Sequence, residues 1–319
     1  MATGNNPVGR GDGKGGPSYT PWLLVRDQVG DTGSRPLAPG TVFWESPDVW
    51  TEGSLGINQP VVGEPTQVYA QVSNLGMEDA VGAVIKYWWA NPSMAITEAT
   101  ANLIGTATVT IPSLDMLPFA SPTPWVPVVQ NGGHECLIVE AYLPVFDPLT
   151  DPMQPVYDRH VGQKNEQLIT LQQGQKLQFH IDAFNFTRSR QEVAVEVTKG
   201  VLPANLQNRF GQLRTAQKFV AAAAEFQPRV NVAEKARRSV EHESKAANRL
   251  LSHAVKPVQL GPPIASVTKT FAPGEIRPVE VTGALPPHAR PGEIYPLRIF
   301  ERIGDAVVGG YTLYIRMEP

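Results

Sequence analysis

Hydrophobic and polar residues alternate in short runs along most of this chain. In TQVYAQVSN, residues 66–74, Val68, Ala70 and Val72 alternate with Gln67, Tyr69, Gln71 and Ser73, the two-residue period of a strand buried on one face. The turn LGMED follows, and AVGAVIKYWWA over 80–90 returns with β-forming residues. IGTATVTIP at 104–112 alternates again, and HECLIVEAYLP at 134–144 closes the set. Runs this short, punctuated by Pro, Gly and Asn without a helical period between them, predict an antiparallel sandwich.

The second half repeats the theme. QKLQFHIDAFN at 175–185 and RQEVAVEVTKG at 190–200 form another run, turn and run, and Asn185 falls where Asn74 does in the first set. ASVTKTF, IRPVEVTG, GEIYPLRIFERIG and AVVGGYTLYIRM complete a second predicted sandwich over 171–319.

Two stretches break the pattern. LQNRFGQLRTAQKFVAAAAEF at 206–226 and NVAEKARRSVEHESKAANRLLSHA at 231–254 are rich in helix formers. Asn231 stands as an N-cap, and Ala233, Ala236, Val240, Ala247, Leu250 and Ala254 fall on one helical side. The expectation is an α-helical hairpin, 204–255, inserted in the second sandwich. The other stretch, 1–40, begins with glycine and polar residues and predicts a flexible arm. Its PWLLVRD, 21–27, is apolar enough to dock on a neighbouring subunit.

Charge sharpens the picture of the insertion. Residues 206–256 hold ten Lys/Arg and four Glu, a balance of +6; the chain carries −3, so the remainder carries −9. A basic projection on an acidic body suits contact between subunits, with Arg237, Arg238, Lys245 and Arg249 as candidate partner-binding residues. Nucleic acid is not expected, because aromatic stacking groups and loop signatures are missing from this segment. No apolar run is long enough for a membrane span. No charged leader with an apolar stretch opens the chain, so the expectation is a cytoplasmic or intracellularly assembled protein, with signal-independent export as the other route.

At 319 residues, 42% hydrophobic and 18% charged, the chain is globular and long enough for two domains. A single cysteine, Cys136, excludes an intramolecular disulfide framework and a thiolate-rich zinc site. His134, Cys136, His160 and His180 could be gathered with Asp147, Asp151, Asp158 and Asp182, but their spacing fits no dependable ligand pattern. No nucleophile elbow or phosphate-cradling loop occurs. No catalytic, cofactor-binding or metal-binding residue is therefore assigned, and no cofactor is expected. Adjacent Trp88 and Trp89 must point to opposite faces of a strand, so one of them is a candidate for partner or ligand binding.

WESPDVW, PVVGEPTQVYAQVSNLG, AVIKYWWANP, HECLIVEAYLP and DRHVGQKN, in this order over about 42–170, resemble the bacterial and archaeal Ig-like sandwiches of the CARDB (APHP) type. The resemblance implies an Ig-like domain over 41–170 with a spacer, adhesion or assembly role and no catalytic residues. The function expected is that of a non-enzymatic structural or interaction protein in a homo-oligomeric assembly. The alternatives are a carbohydrate- or surface-binding module using exposed tryptophans and, third, a metal-dependent enzyme around His134, Cys136 and His160.

Overall fold

A computed structural model describes residues 20–38, 41–54, 56–58, 60–91, 96–128, 135–201, 226–236, 238–239 and 262–317. Every regular element among them is a β-strand. The first nine are β1 (Leu23–Leu24), β2 (Val49–Gly53), β3 (Gly56–Ile57), β4 (Gln67–Asn74), β5 (Ala80–Ala90), β6 (Ala101–Ile111), β7 (Asp115–Ala120), β8 (Cys136–Tyr142) and β9 (Val161–Lys164). They form two facing sheets. One runs β6-β5-β8-β9; in the other β4 pairs with β7 on one side and with β1 and β2 on the other, and β3 extends β2. The alternation predicted for β4 is realised: Val68, Ala70 and Val72 are buried, against Ala83, Ile85, Tyr87, Leu137, Val139 and Ala141 of the opposite sheet.

The second sandwich follows after one residue, Asn165. Its strands are β10 (Glu166–Leu171), β11 (Lys176–Phe184), β12 (Gln191–Lys199), β13 (Arg229–Val232), β14 (Arg238–Ser239), β15 (Ala265–Phe271), β16 (Glu275–Ala284), β17 (Ile294–Ile303) and β18 (Ala306–Met317). One sheet runs β10-β18-β17-β12-β15, the other β11-β16-β13 with β14 also on β16. Leu177, Phe179, Ile181, Val279 and Val281 meet Val193, Val195, Val197, Leu297, Ile299 and Leu313 between them.

The two sandwiches share one connectivity. The order β4-β5-β6-β7-β8-β9 is matched by β11-β12-β15-β16-β17-β18. In each, the first strand pairs with the fourth, the second with the third and fifth, and the fifth with the sixth, all antiparallel. The repeated asparagines explain part of this. Asn74 is fully buried; its Nδ2 donates to Glu78 O (2.8 Å) and Ile111 O (3.1 Å), and its Oδ1 accepts from Gly76 N (3.0 Å). Asn185 likewise donates to Ser189 O (2.8 Å) and Ala272 O (2.9 Å) and accepts from Thr187 N (3.1 Å). Each side chain closes its own turn and ties it to the end of a non-adjacent strand, which a buried amide can do because it both donates and accepts.

The helical hairpin expected over 204–255 is not what the described part of that segment forms. Residues 229–232 are a strand paired with β16, Asn231 opposite Glu280 and Val232 opposite Val279, and 238–239 pair with the same strand. Asn231 is thus inside a strand rather than capping a helix. Helix propensity is a weak preference of tenths of a kcal/mol per residue, of order ~0.5, and it yields to a sheet edge that takes Val232 into the core. The remainder of the predicted hairpin, 204–225 and 240–255, lies outside the described residues. So does 1–19 of the predicted arm.

Residues 20–38, grouped with that arm in the sequence, are built into the first sandwich. Leu23, Leu24 and Val25 are buried, β1 pairs with β4, and Arg35 closes a buried ion pair with Asp27 at 2.5 Å. The apolar PWLLVRD stretch docks on its own chain.

A small third core joins the sandwiches. Leu37, Phe43 and Trp44 pack on Phe300 and Val307, and Trp44 Nε1 donates to Thr312 Oγ1 at 3.1 Å. Arg298 forks onto both carboxylate oxygens of Glu45 (2.9 and 3.0 Å), and Asn165 N donates to Trp44 O at 2.9 Å.

Candidate interaction surface

Turns are usually polar, and three turns at one end of the first sandwich are not. After β4, Asn74 holds the turn through Gly76, where a Cβ would collide with the backbone of Thr20 and Pro21. That grip leaves Leu75 and Met77 exposed on either side, and Val81 follows at the start of β5. The β6–β7 turn lies against it: Leu114 N donates to Gly76 O (3.2 Å) and Ser113 N to Asp79 Oδ1 (2.8 Å). Leu114 has φ +57° and is 71% exposed, and Met116 beside it is exposed too. A leucine in the left-handed region costs about 1 kcal/mol, here with an apolar side chain held out in water. The third turn is closed by reciprocal Leu143–Asp147 backbone bonds (2.9 and 3.0 Å) and presents Val145 and Phe146. It reaches the same end because β8 runs antiparallel to β5 and its last residue, Tyr142, pairs with Val84 in the first half of β5.

A buried ion network anchors this end. Asp147 Oδ2 accepts from Leu23 N (2.5 Å), and its Oδ1 pairs with Arg159, whose guanidinium lies 4.3 Å from the centre of the Trp22 ring. His160 is clamped between Asp147 (Nε2, 3.1 Å) and Asp158 (Nδ1, 2.6 Å). Burial works against charge on the imidazole, but the hydrogen bonds and negative charges of Asp147 and Asp158 outweigh it and raise His160 above its usual range. Burial likewise opposes ionisation of Asp158, and the bond and charge of His160 with the backbone N–H groups of Asp151 and His160 hold its carboxyl far below the ordinary value. Each ring nitrogen of His160 thus faces a carboxylate oxygen.

The predicted site residues are spread apart. Trp88 and Trp89 do point to opposite faces of β5, and both are half-buried. Trp88 packs against the larger core, with Nε1 donating to Glu140 Oε2 (3.1 Å), while Trp89 packs on the first core. Arg238 lies in β14; Arg237, Lys245 and Arg249 lie outside the described residues, as does His134. Of the residues weighed as metal ligands, His160 meets Asp147 and Asp158, whereas Cys136 is buried in β8 and His180 is on β11 of the second sandwich; among the described residues no group of three such side chains could hold a metal ion. The aromatic pair that sequence did not single out is Trp50 on Tyr69, stacked across β2 and β4 at 5.2 Å and 5°. The apolar end was missed as well, although NLGMED, IPSLDM and LPVFDP carry a readable signal: apolar residues where turn chemistry wants polar ones.

With no exposed surface, Cys136 is expected to react with an aromatic disulfide reagent at least about a hundredfold more slowly in the folded protein than in denaturant. Stopped-flow labelling measures both rates; comparable rates would remove the buried-strand assignment.

No family model matches the chain, and no curated protein does. Among solved structures, it is similar to a family 123 glycoside hydrolase from Clostridium perfringens at 11% identity and a TM-score of 0.26, covering 48% of this chain and 23% of that one. The collagen adhesin of S. aureus aligns at 8% identity and a TM-score of 0.24 over 85% of this chain and 92% of that one. The CupB6 tip adhesin of Pseudomonas aeruginosa aligns at 9% and 0.21 over 95% and 100%. Such TM-scores fall short of a shared overall fold.

Proposed function

We propose that this is a non-enzymatic structural or interaction protein, two immunoglobulin-like modules that act in a larger homo-oligomeric assembly. The observation that carries the reading is the apolar end of the first sandwich. Seven large apolar side chains (Leu75, Met77, Val81, Leu114, Met116, Val145 and Phe146) are exposed on three turns and the strand ends beside them. Apolar exposure gathered at one end of a sandwich is costly in water and is relieved when another copy covers it. Supporting the Ig-like part, each sandwich divides its strands between sheets in the manner of immunoglobulin-type domains, and the CARDB-like reading of 42–170 is the narrower form of the same proposal. The one-residue connection at Asn165 and the Trp44 junction suit modules that transmit position rather than move freely.

Size-exclusion chromatography with light scattering, run across protein and salt concentrations, tests the assembly. A mass above that of one chain that grows with concentration is expected, and Phe146→Asp should lower it. A strictly monomeric particle under all conditions overturns the proposal.

A further inference from the structure

The surface through which copies meet can be argued from the strand edges. An edge strand offers a row of backbone donors and acceptors to any other strand, and proteins blunt such edges with charge, proline, brevity or cover. In this chain most edges are blunted. β7 carries Asp115 and Pro118, and β3 is two residues long. β15 carries Lys269, held by Glu234 at 2.5 Å. β11 carries Lys176, His180 and Asp182, and β9 is bridged to Glu45 through Lys164.

Among these described strands β6 differs. It runs eleven residues, ANLIGTATVTI, without a charge or a proline, and pairs with β5 on one side. Among the described residues no strand pairs with its other side. Its first part is obstructed: Ile104 is bulged out of the ladder, Thr123 Oγ1 donates to its carbonyl (2.6 Å), and Pro122 lies over Gly105. From 106 onward the edge is clear. Thr106, Thr108 and Thr110 are exposed, while Ala107 and Val109 pack towards the first core.

We propose that β6 pairs antiparallel with β6 of a second copy about a two-fold axis at Thr108, joining two first sandwiches through one continuous sheet. The inference rests on the assembly reading above. The strand is self-complementary in this register. Thr108 meets Thr108, Thr106 meets Thr110, and Ala107 meets Val109, so threonines ladder on the outer face and apolar side chains stay on the core face. In an isologous contact residue i meets residue j of the other copy and j meets i, so a strand with charges of one sign would repel itself; β6 has none. The same register brings the Leu103 end of one copy, where that side chain is exposed, to the Leu114 end of the other, twice by symmetry.

The dyad supplies its own test on the full-length chain. Thr108→Lys and Thr108→Glu each place like charges opposite one another, and either is expected to raise the dimer dissociation constant about tenfold or more in sedimentation velocity. An equimolar mixture of the two variants should restore association, since Lys then faces Glu; a misfolded variant would not recover on mixing. Thr268→Lys, at an exposed outer-face position of β15, should change nothing. Wild-type association that both Thr108 variants leave intact overturns the β6 contact while the assembly reading stands. Weakening without restoration on mixing overturns the two-fold register. A wild-type chain that never associates overturns both.

Discussion

Between pH 4.5 and pH 8 the second sandwich is expected to lose about 5 kcal/mol of stability, and Glu301→Gln to abolish most of that loss. Glu301 is fully buried on β17, between the inward-facing Ile299 and Ile303. Its Oε2 accepts from Phe184 N at 3.0 Å, and Oε1 is buried without a hydrogen-bond partner. Topology explains why a carboxyl is needed. Asn185 N bonds Glu275 O on the β16 side, so the preceding N–H, that of Phe184, points to the opposite side of β11, where no strand among the described residues pairs. In the first sandwich that side of β4 is filled by β1, and the position matching Glu301 is Ala141. In the second, β10 pairs in parallel with β18 instead, and Glu301 supplies the missing acceptor from within the core.

Burial, only partly offset by the Phe184 bond, pushes the Glu301 carboxyl from 4.5 up to about 8. The folded state therefore holds a proton that the unfolded chain has already released. The stabilisation is complete below 4.5, declines as pH rises through 8, and is flat above it. At about 1.4 kcal/mol per pH unit across that gap, the loss is roughly 5 kcal/mol. The amide of the Glu301→Gln variant would keep a carbonyl for Phe184 N–H and cannot ionise. Urea unfolding of both proteins at pH 5 and pH 9 isolates the effect, because His160 titrates identically in each. Equal slopes against pH in the two proteins would falsify the assignment.

The second large effect concerns the junction. Trp44→Ala is expected to cost about 3–5 kcal/mol and to split one calorimetric transition into two. Trp44 is fully buried, edge-on to Phe43 with ring centroids 5.1 Å apart, and so close to Gly310 that a Cβ there would enter its ring. Its removal opens a cavity between bodies also tied by Asn165, the Glu45–Arg298 fork and the first-sandwich side chains, Ile138 and Met153 among them, that join the larger core. Trp44→Phe, which keeps most of the volume and loses the bond to Thr312, should cost about 1–2 kcal/mol and leave the transitions joined. A single transition retained in Trp44→Ala would mean that the sandwiches are coupled elsewhere.

What the sequence determined by itself is the part of the fold that depends on local period. Val68, Ala70 and Val72 announce the buried face of β4, and the paired positions of Asn74 and Asn185 announce the repeat, because a two-residue period and a turn-closing amide act over a few residues. β8 was legible as a strand, but burial on both its faces was not: Ile138 joins the larger core while Leu137 joins the first, and only packing decides that. The helical reading of 231–239 failed for the same reason in reverse. Its Ala, Glu, Lys and Arg favour a helix locally, and the open side of β16 offered a ladder that no local rule contains. The candidate surfaces divide likewise. Apolar turn residues such as Leu114 and Phe146 were visible as anomalies, whereas their gathering at one end, the open side of β6 and the proton held by Glu301 arise only when distant strands are placed beside one another. Sequence period sets which side of a strand is apolar; the tertiary arrangement sets what meets it, and that meeting determines burial, charge state and exposure.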